Sequence, residues 1–555
     1  MKKLFVYFVI LFGLVWRSAV SESGDEVNST EDDYEIDFRV NRIDPLESEA
    51  SLPIDEVKDY YYFDYYGDPR NEIPYLNYKK WIKGWRKYPL FLIIIGGFRW
   101  DLLTQERLKS LKSFAYLSQH GTTIPKVTPS FPAEDFSVWS SIASGLYSED
   151  HGVVGDFMYD LSHRKLFNRS DSKSMSDPHW WKHFNPIWEE AKRYERKVAI
   201  FNWHHCDRLG KTTNGTTKKC SPYKHLKEAN SQEKMALHFN EAFNKIHRNK
   251  YDLSIVYTDT IKRAMEKHGA RSPALDKALK DVDDILQAKL TDIRSKTKLG
   301  LKMNMVVISD YGMTDIQGTE TLYLDEIFDL NIVQFIIYSS GYATIAPYSL
   351  KQSHLLEVCE GTKGIQCYLT AHIQHPPVPS SKILPENLHY RFGEYVQDIV
   401  VLADLAYDFK ARKVSNKLIP VNRYVQGNRK AGSGWTTRPV EPYFKKLPRG
   451  KKMKDASEEF NISYTLHQNY MKYKDDMKTM AFAMGPDFKA NYVLPNPIET
   501  VDIYQVLCFL LQIPPEAHSG NWKRIESMLR ISGVSCTLPS YLILILCVYF
   551  LYKFK

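Results

Sequence analysis

Residues 88–95 read Tyr88-Pro-Leu-Phe-Leu-Ile-Ile-Ile95, six consecutive apolar side chains behind a proline with no polar residue alternating among them. A strand with one wet face alternates apolar and polar residues. A continuous run of strand length instead marks a strand buried on both faces. Outward from it, Lys197-Val-Ala-Ile-Phe201 and Met303-Asn-Met-Val-Val-Ile-Ser309 have the same character, and Ser272 to Lys296 has the spacing of an amphipathic helix. Buried strands alternating with helices predict an α/β fold, a mostly parallel central sheet with helices on both faces.

The composition agrees with a large globular chain. Of 555 residues 43% are hydrophobic and 13% aromatic, enough to bury a sizeable core, which excludes a disordered tail. The surplus of 74 Lys and Arg over 66 Asp and Glu is only +8, so no nucleic-acid partner is expected. Seven cysteines over this length cannot form a small disulfide framework.

The two ends predict a route out of the cytosol. Residues 1–21 carry Lys2 and Lys3, an apolar run from Leu4 to Trp16 and small residues at Ser18, Ala19 and Ser21, the pattern of a cleaved signal peptide rather than a buried first helix. Residues 537–552 hold no charge and are followed by Lys553 and Lys555. That pattern predicts a single type I membrane span, with a glycolipid-anchor signal as the alternative. Either way the body faces the lumen or the cell exterior. Setting aside Cys547 in the tail leaves Cys206, Cys220, Cys359, Cys367, Cys508 and Cys536, which suggest three bridges. The short separations favour Cys206–Cys220 and Cys359–Cys367. Sequons at Asn28, Asn168, Asn214 and Asn461 fit N-glycosylation on the same route.

Between the ends, residues 22–80 read as an acidic, poorly ordered arm: Gly24 to Tyr66 has fourteen acids and three bases, a local charge of −11. The structured body spans 81–530. Within it, 410–454 holds fourteen bases and one acid with little periodicity, and reads as a solvated basic loop insertion. It is either a plain surface loop, a polyanion site, or a partner for the acidic arm.

At this point the chain resembles the ectonucleotide pyrophosphatase/phosphodiesterase family. The resemblance is carried by LIIIGGFRWDLL (92–103), TPSFPAEDFSVWSSIASGLYSEDHGVVGDFMYD (128–160) and HWWKHFNPIWEEA (179–191). It continues in SDYGM (309–313), ENLHYRFGEYVQDIVVLADLAYDF (386–409), MAFAMGPDFK (480–489) and VDIYQVLCFLLQIPPEAHSGNW (501–522). The family implies an alkaline-phosphatase-like α/β fold and hydrolysis of phosphodiester or pyrophosphate bonds outside the cell. It also implies two zinc ions held by Asp and His around a threonine nucleophile. One metal activates the hydroxyl and the pair neutralises the attacked and leaving oxygens.

The chain departs from that pattern at most of the chemistry-bearing positions. The resemblance puts Gly96 at the first Asp ligand, Asp135 at the nucleophile and Val138 at an Asn donor. It puts Lys262 and Glu266 at the Asp and His columns of the next motif, and Tyr311 at a further His. Asp310 keeps its ligand, and His467 is the candidate for the last one. Zinc wants at least three protein ligands per ion, so two survivors among six columns imply that neither ion is held. Lys262 is expected to supply the positive charge instead, paired with Asp310, Glu266 or Asp135. The resulting reading is a binding protein of this family that has lost hydrolysis, with no cofactor. The dinuclear pocket would persist as a cleft rebuilt around Lys262 and Asp135, binding a nucleotide, a lipid headgroup, a polyanion or a protein partner. The alternative is an active phosphodiesterase with a remodelled zinc site. Restoring Gly96→Asp, Asp135→Thr, Lys262→Asp, Glu266→His and Tyr311→His together is expected to recover metal binding.

Other features read more plainly. His204, His205 and Cys206 suit a structural loop better than a metal cluster. Asp101 is expected to cap or pair locally. Trp180, Trp181 and Trp188 are expected in packing, and Asp281, Asp284 and Asp315 in solvent.

Overall fold

The computed structural model describes residues 88–530, apart from 170, 204–218, 223–231, 248–250, 296–302, 317, 350, 371–382, 405, 413–414, 421–428, 434 and 437–474. The opening run forms β1 (Leu90–Ile95), every side chain of it at most 1% exposed. Successive side chains of a strand point to opposite faces, so complete burial means that both faces of the sheet are covered here. Each of these Leu, Ile and Phe side chains contributes about 1.5–3 kcal/mol by leaving water.

Further along the chain come β2 (Thr122–Thr128), β3 (Phe157–Asp160), β4 (Lys165–Asn168), β5 (Val198–Trp203), β6 (Lys219–Pro222), β7 (Leu253–Thr258) and β8 (Asn304–Ser309). Five of them make the parallel centre of the main sheet, in the order β8-β1-β7-β5-β6. Beyond β8, the strand Thr479–Met484 pairs antiparallel with both β8 and β2, and Tyr492–Val493 and Ile498–Glu499 add to β2. The helix Gln232–His247 packs on β5 and β7, and Lys112–His120 on β2 and Thr479–Met484. The helices Asp135–Ser144 and Asp502–Leu511 pack on each other. The fold is thus the expected α/β arrangement. Among the described residues no helix is long and apolar enough to cross a membrane.

A second sheet of five strands has the order Ile365–Leu369, Ile399–Ala403, Tyr342–Pro347, Val333–Tyr338, Leu418–Pro420. It has its own core, which includes Leu324, Phe328, Ile345, Leu355 and Val401. The disulfide Cys359–Cys367 ties the helix Gln352–Gly361 to this sheet, as its short separation suggested. Cys220 is also disulfide-bonded. Its expected partner Cys206 and the other candidate, Cys536, lie outside the described residues.

Two expectations need correction. Cys508 is a free thiol, fully buried in the helix Asp502–Leu511, where burial pushes its pKa up and leaves it a core side chain. The segment 410–454 is also not uniformly a solvated loop. Leu418–Pro420 pairs with Val333–Tyr338, Ala431–Gly432 pairs with Thr314–Asp315, and Trp435 is only 2% exposed. Strands of two or three residues carry too little periodicity to read in a sequence. The signal segment, the acidic arm, the apolar tail, the remainder of 437–454 and His204, His205 and His467 lie outside the described residues. So do Asn28, Asn214 and Asn461, whereas Asn168 ends β4, half-buried.

Candidate functional site

The parallel register makes the site. Ile95 of β1 sits opposite Thr258 of β7 and Ser309 of β8, so the segments after these strands emerge side by side at the carboxyl edge of the sheet. β1 continues into Gly96-Gly97, β7 into the helix Thr260–His268 with Lys262 and Glu266, and β8 into Asp310-Tyr311. The backbones are close enough to bond: the Lys262 N–H donates to Gly96 O at 3.0 Å, and the Gly97 N–H to Asp310 Oδ1 at 3.0 Å. Gly97 has φ +73°, and a Cβ there would lie 2.8 Å from the Lys262 Cα, so only glycine fits this turn. After β2 the chain reaches the helix Asp135–Ser144, whose first residue points into the same region.

Asp135 is the hub. Its Oδ1 accepts from Lys262 Nζ at 2.5 Å and from the Tyr311 hydroxyl at 2.7 Å, and its Oδ2 from Arg169 Nη1 at 2.9 Å. Arg169, just past β4, also pairs with Asp156. Asp156 Oδ1 in turn caps the Asp135 helix through the Phe136 N–H at 2.9 Å. Glu134 Oε2 accepts the Asp156 N–H at 3.1 Å. Asp135, Glu134, Asp156 and Asp310 are each at most 2% exposed, and Lys262, Glu266 and Arg169 at most 9%. Among the described residues, Lys262 and Asp135 are thus buried rather than exposed along a cleft. Asp135, Asp156, Lys262 and Arg169 satisfy one another inside the protein, as buried charges must.

The electrostatics follow the geometry. Burial raises the Asp135 pKa, but the Lys262 and Arg169 cations outweigh it and hold the carboxyl well below its usual range. Burial opposes the charge on Lys262, yet Asp135 and then Glu266 keep its pKa raised. Glu134, buried and beside Asp156, is pushed up to about 8, and Asp310, buried and facing Asp135, to about 6. Burial and the Asp135 charge raise the Tyr311 phenol well above 10, so it donates as a neutral hydroxyl. Arg429 lies within electrostatic reach of Glu266 and Tyr311.

The sequence-predicted residues Gly96, Asp135, Lys262, Glu266, Asp310 and Tyr311 thus come together, and of the three partners offered for Lys262 it is Asp135 that pairs. Arg169, Asp156, Glu134 and Arg429 escaped the sequence reading. Their one signal is that Glu134 and Asp156 are acids within otherwise apolar segments, and such acids need a buried cation. Arg169 was hidden inside the Asn168 sequon. Of the minor readings, those for Asp101, Asp284, Trp180 and Trp188 hold, whereas Asp281 is only 18% exposed and Asp315 is engaged by backbone. Asp101 pairs with Arg99 at 2.5 Å, Asp281 and Asp284 pair with Lys277 and Lys280 one turn away, and Trp180 and Trp188 are packed in the core. Asp315, expected in solvent, accepts the Ala270 N–H at 2.7 Å.

A pair of zinc ions does not fit this donor set. Asp310 has Oδ1 bonded by the Gly97 and Tyr311 N–H groups and Oδ2 by Trp139 Nε1 at 3.1 Å. Asp135 is held by two cations, and a zinc beside Lys262 Nζ would meet like charge. At Gly96 an added Cβ would overlap the Tyr257 hydroxyl, with the ring Cζ 3.0 Å away, so this tyrosine fills the space of a first-strand ligand.

Comparison with known proteins agrees with the fold. Residues 90–432 match the family model described as type I phosphodiesterase / nucleotide pyrophosphatase. The chain is 23% identical over 440 residues to ectonucleotide pyrophosphatase/phosphodiesterase family member 5 of Homo sapiens, covering 79% of this chain and 78% of that one. It is 24% identical over 446 residues to a bis(5'-adenosyl)-triphosphatase of Mus musculus, covering 79% and 81%. Among solved structures, murine ectonucleotide pyrophosphatase/phosphodiesterase 5 superposes with a TM-score of 0.60 at 21% identity, covering 80% of this chain and all of that one. An inactive variant of the murine protein in complex with AMP superposes with a TM-score of 0.61 at 20% identity, with the same coverage.

Proposed function

The chain belongs to the type I phosphodiesterase / nucleotide pyrophosphatase family, and from that premise we propose that it is a non-hydrolysing member that acts by binding. The observation that carries this reading is the capture of Asp135, at the nucleophile column, by Lys262, Arg169 and Tyr311 together. A group with both oxygens engaged and 2% exposure has no free path to a phosphorus atom. Lys262 and Arg169 provide the two positive charges that stand against Asp135 and Asp156. The Val138 side chain, without a donor, supplies no stabilisation to a phosphoryl oxygen.

The same proposal places the body on the lumenal or extracellular side, anchored through 537–552 and glycosylated at its sequons. The Cys359–Cys367 bridge supports an oxidising compartment. AMP is the first ligand to test, because the inactive variant of the murine relative was solved in complex with it. A protein partner or a polyanion on the basic segment is the next.

A second reading, an active nucleotide phosphodiesterase, draws on the relatives named for hydrolysing bis(5'-adenosyl) triphosphate. The two are separated by assaying the purified full chain, with zinc present, on a nitrophenyl ester of a nucleotide. The expected rate equals that of the Asp135→Ala variant. Turnover that disappears in Asp135→Ala overturns the non-hydrolysing reading.

A further inference from the structure

We propose a structural zinc site at the turn end of the β3–β4 hairpin, formed by Asp160, His163, His179 and Glu394. One ligand atom from each of the four lies within 4.8 Å of all the others. The residues come from three separate pieces of chain: the end of β3 with its hairpin turn, the short helix Pro178–Trp181, and the segment before Ile399–Ala403.

The carboxylate at the centre is built to face the imidazoles. Asp160 Oδ1 accepts the Ser162 N–H at 2.8 Å, the Ser162 hydroxyl at 2.6 Å and the His163 N–H at 3.0 Å. Those bonds orient Oδ2 toward His163 Nδ1 at 2.7 Å and His179 Nε2 at 2.6 Å, so two ring nitrogens converge on one oxygen. Hydrogen bonds that fix a ligand carboxylate from behind are the usual support of a metal site. Glu394 completes the set; Lys182 Nζ lies 3.0 Å from its Oε1 on a half-exposed side chain, and that ammonium must swing to solvent when the ion binds.

The donor chemistry selects the ion. Two imidazoles with two carboxylates suit zinc, whereas calcium and magnesium take oxygen alone. Tetrahedral zinc with bonds of about 2.0–2.2 Å sets its donors roughly 3.3–3.5 Å apart, so the two Asp–His contacts must open and Glu394 must close on the ion. Asp160 is 1% exposed and His163 56%, which gives a buried anchor and an open side for entry. Bound there, the ion would join the hairpin to the distant segment carrying Glu394 and close a long loop.

This site lies at the opposite end of the hairpin from Asp156 and Arg169. About four strand residues separate them, roughly 13 Å at the usual rise. The test uses the purified full chain, stripped with chelator and then dialysed against zinc, with bound metal counted. One retained equivalent is expected in the native chain and in Asp310→Asn, and none in His163→Ala or Glu394→Gln. Both of these residues are partly exposed, and circular dichroism checks that the variants fold. Zinc retention by the His163→Ala/Glu394→Gln double variant overturns the proposal, as does loss of the ion in Asp310→Asn alone or a native chain that retains none. Two native equivalents, one removed by each set, would uphold this site while sinking the non-hydrolysing reading, so the two claims fail separately.

Discussion

Replacing Lys262 by Met keeps the volume of the side chain and removes its charge. At 2.5 Å and an effective dielectric of 20, the attraction between Nζ and Asp135 Oδ1 is about 6–7 kcal/mol before desolvation is subtracted. Breaking one partner of a buried pair costs about 3–5 kcal/mol, because the other charge is left behind. Arg169 and Tyr311 still hold Asp135, so the lower end, ~3 kcal/mol, is expected for Lys262→Met. Asp135→Asn is expected to cost a similar amount by leaving Lys262 with Glu266 and Asp310 alone. The double variant removes both charges and should be no worse than either single one, a coupling of about 2–3 kcal/mol. Urea unfolding of all four chains, followed by tryptophan fluorescence, measures the cycle. If the two single costs simply add, or if Lys262→Met costs under about 1 kcal/mol, the network is not held together as argued.

Two further outcomes follow from the same residues. The raised pKa of Glu134, about 8 against an ordinary 4.5, means that the folded chain keeps a proton there that the unfolded chain gives up. Stability should therefore fall as pH rises between those values, and Glu134→Gln should flatten the fall by at most ~1.4 kcal/mol per pH unit. An unchanged profile in Glu134→Gln would assign the slope to other groups. Reinstating the family's five side chains, Gly96→Asp among them, should not create zinc binding at the Asp310 centre, because the new Cβ overlaps Tyr257. Overpacking there should cost about 1–3 kcal/mol, and binding should emerge only when Tyr257→Val is added. Metal bound by the five-fold variant alone would show that Tyr257 is not the obstacle.

The central sheet was legible because its strands are continuous apolar runs, a pattern with few other uses. β1, β5 and β8 fall where Leu90, Val198 and Asn304 begin such runs. The need of Asp135 for a cation was legible too, since an acid in FPAEDF cannot be buried alone. The choice of Asp135 over Glu266 or Asp310 was not, because it depends on how the β2 segment and the Thr260–His268 helix meet. Arg169 was unreadable for the same reason: its partners are 34 and 13 residues away and set by the β3–β4 hairpin. The Tyr257 hydroxyl was invisible because a tyrosine in a buried strand looks like core. Its clash with a residue at 96 exists only once β1 and β7 lie in register.

The internal pairing of Asp135 also sets what the centre can recognise. Lys262 and Arg169 are strong phosphate-binding groups whose capacity is spent on a carboxylate of the same chain, so an incoming anion must first displace an intramolecular competitor. Deleting that single carboxylate would strip Lys262 of its ion pair and leave Arg169 to Asp156 alone, turning a closed charge cluster toward anion binding. The protein carries its own occupant for that cluster as residue 135.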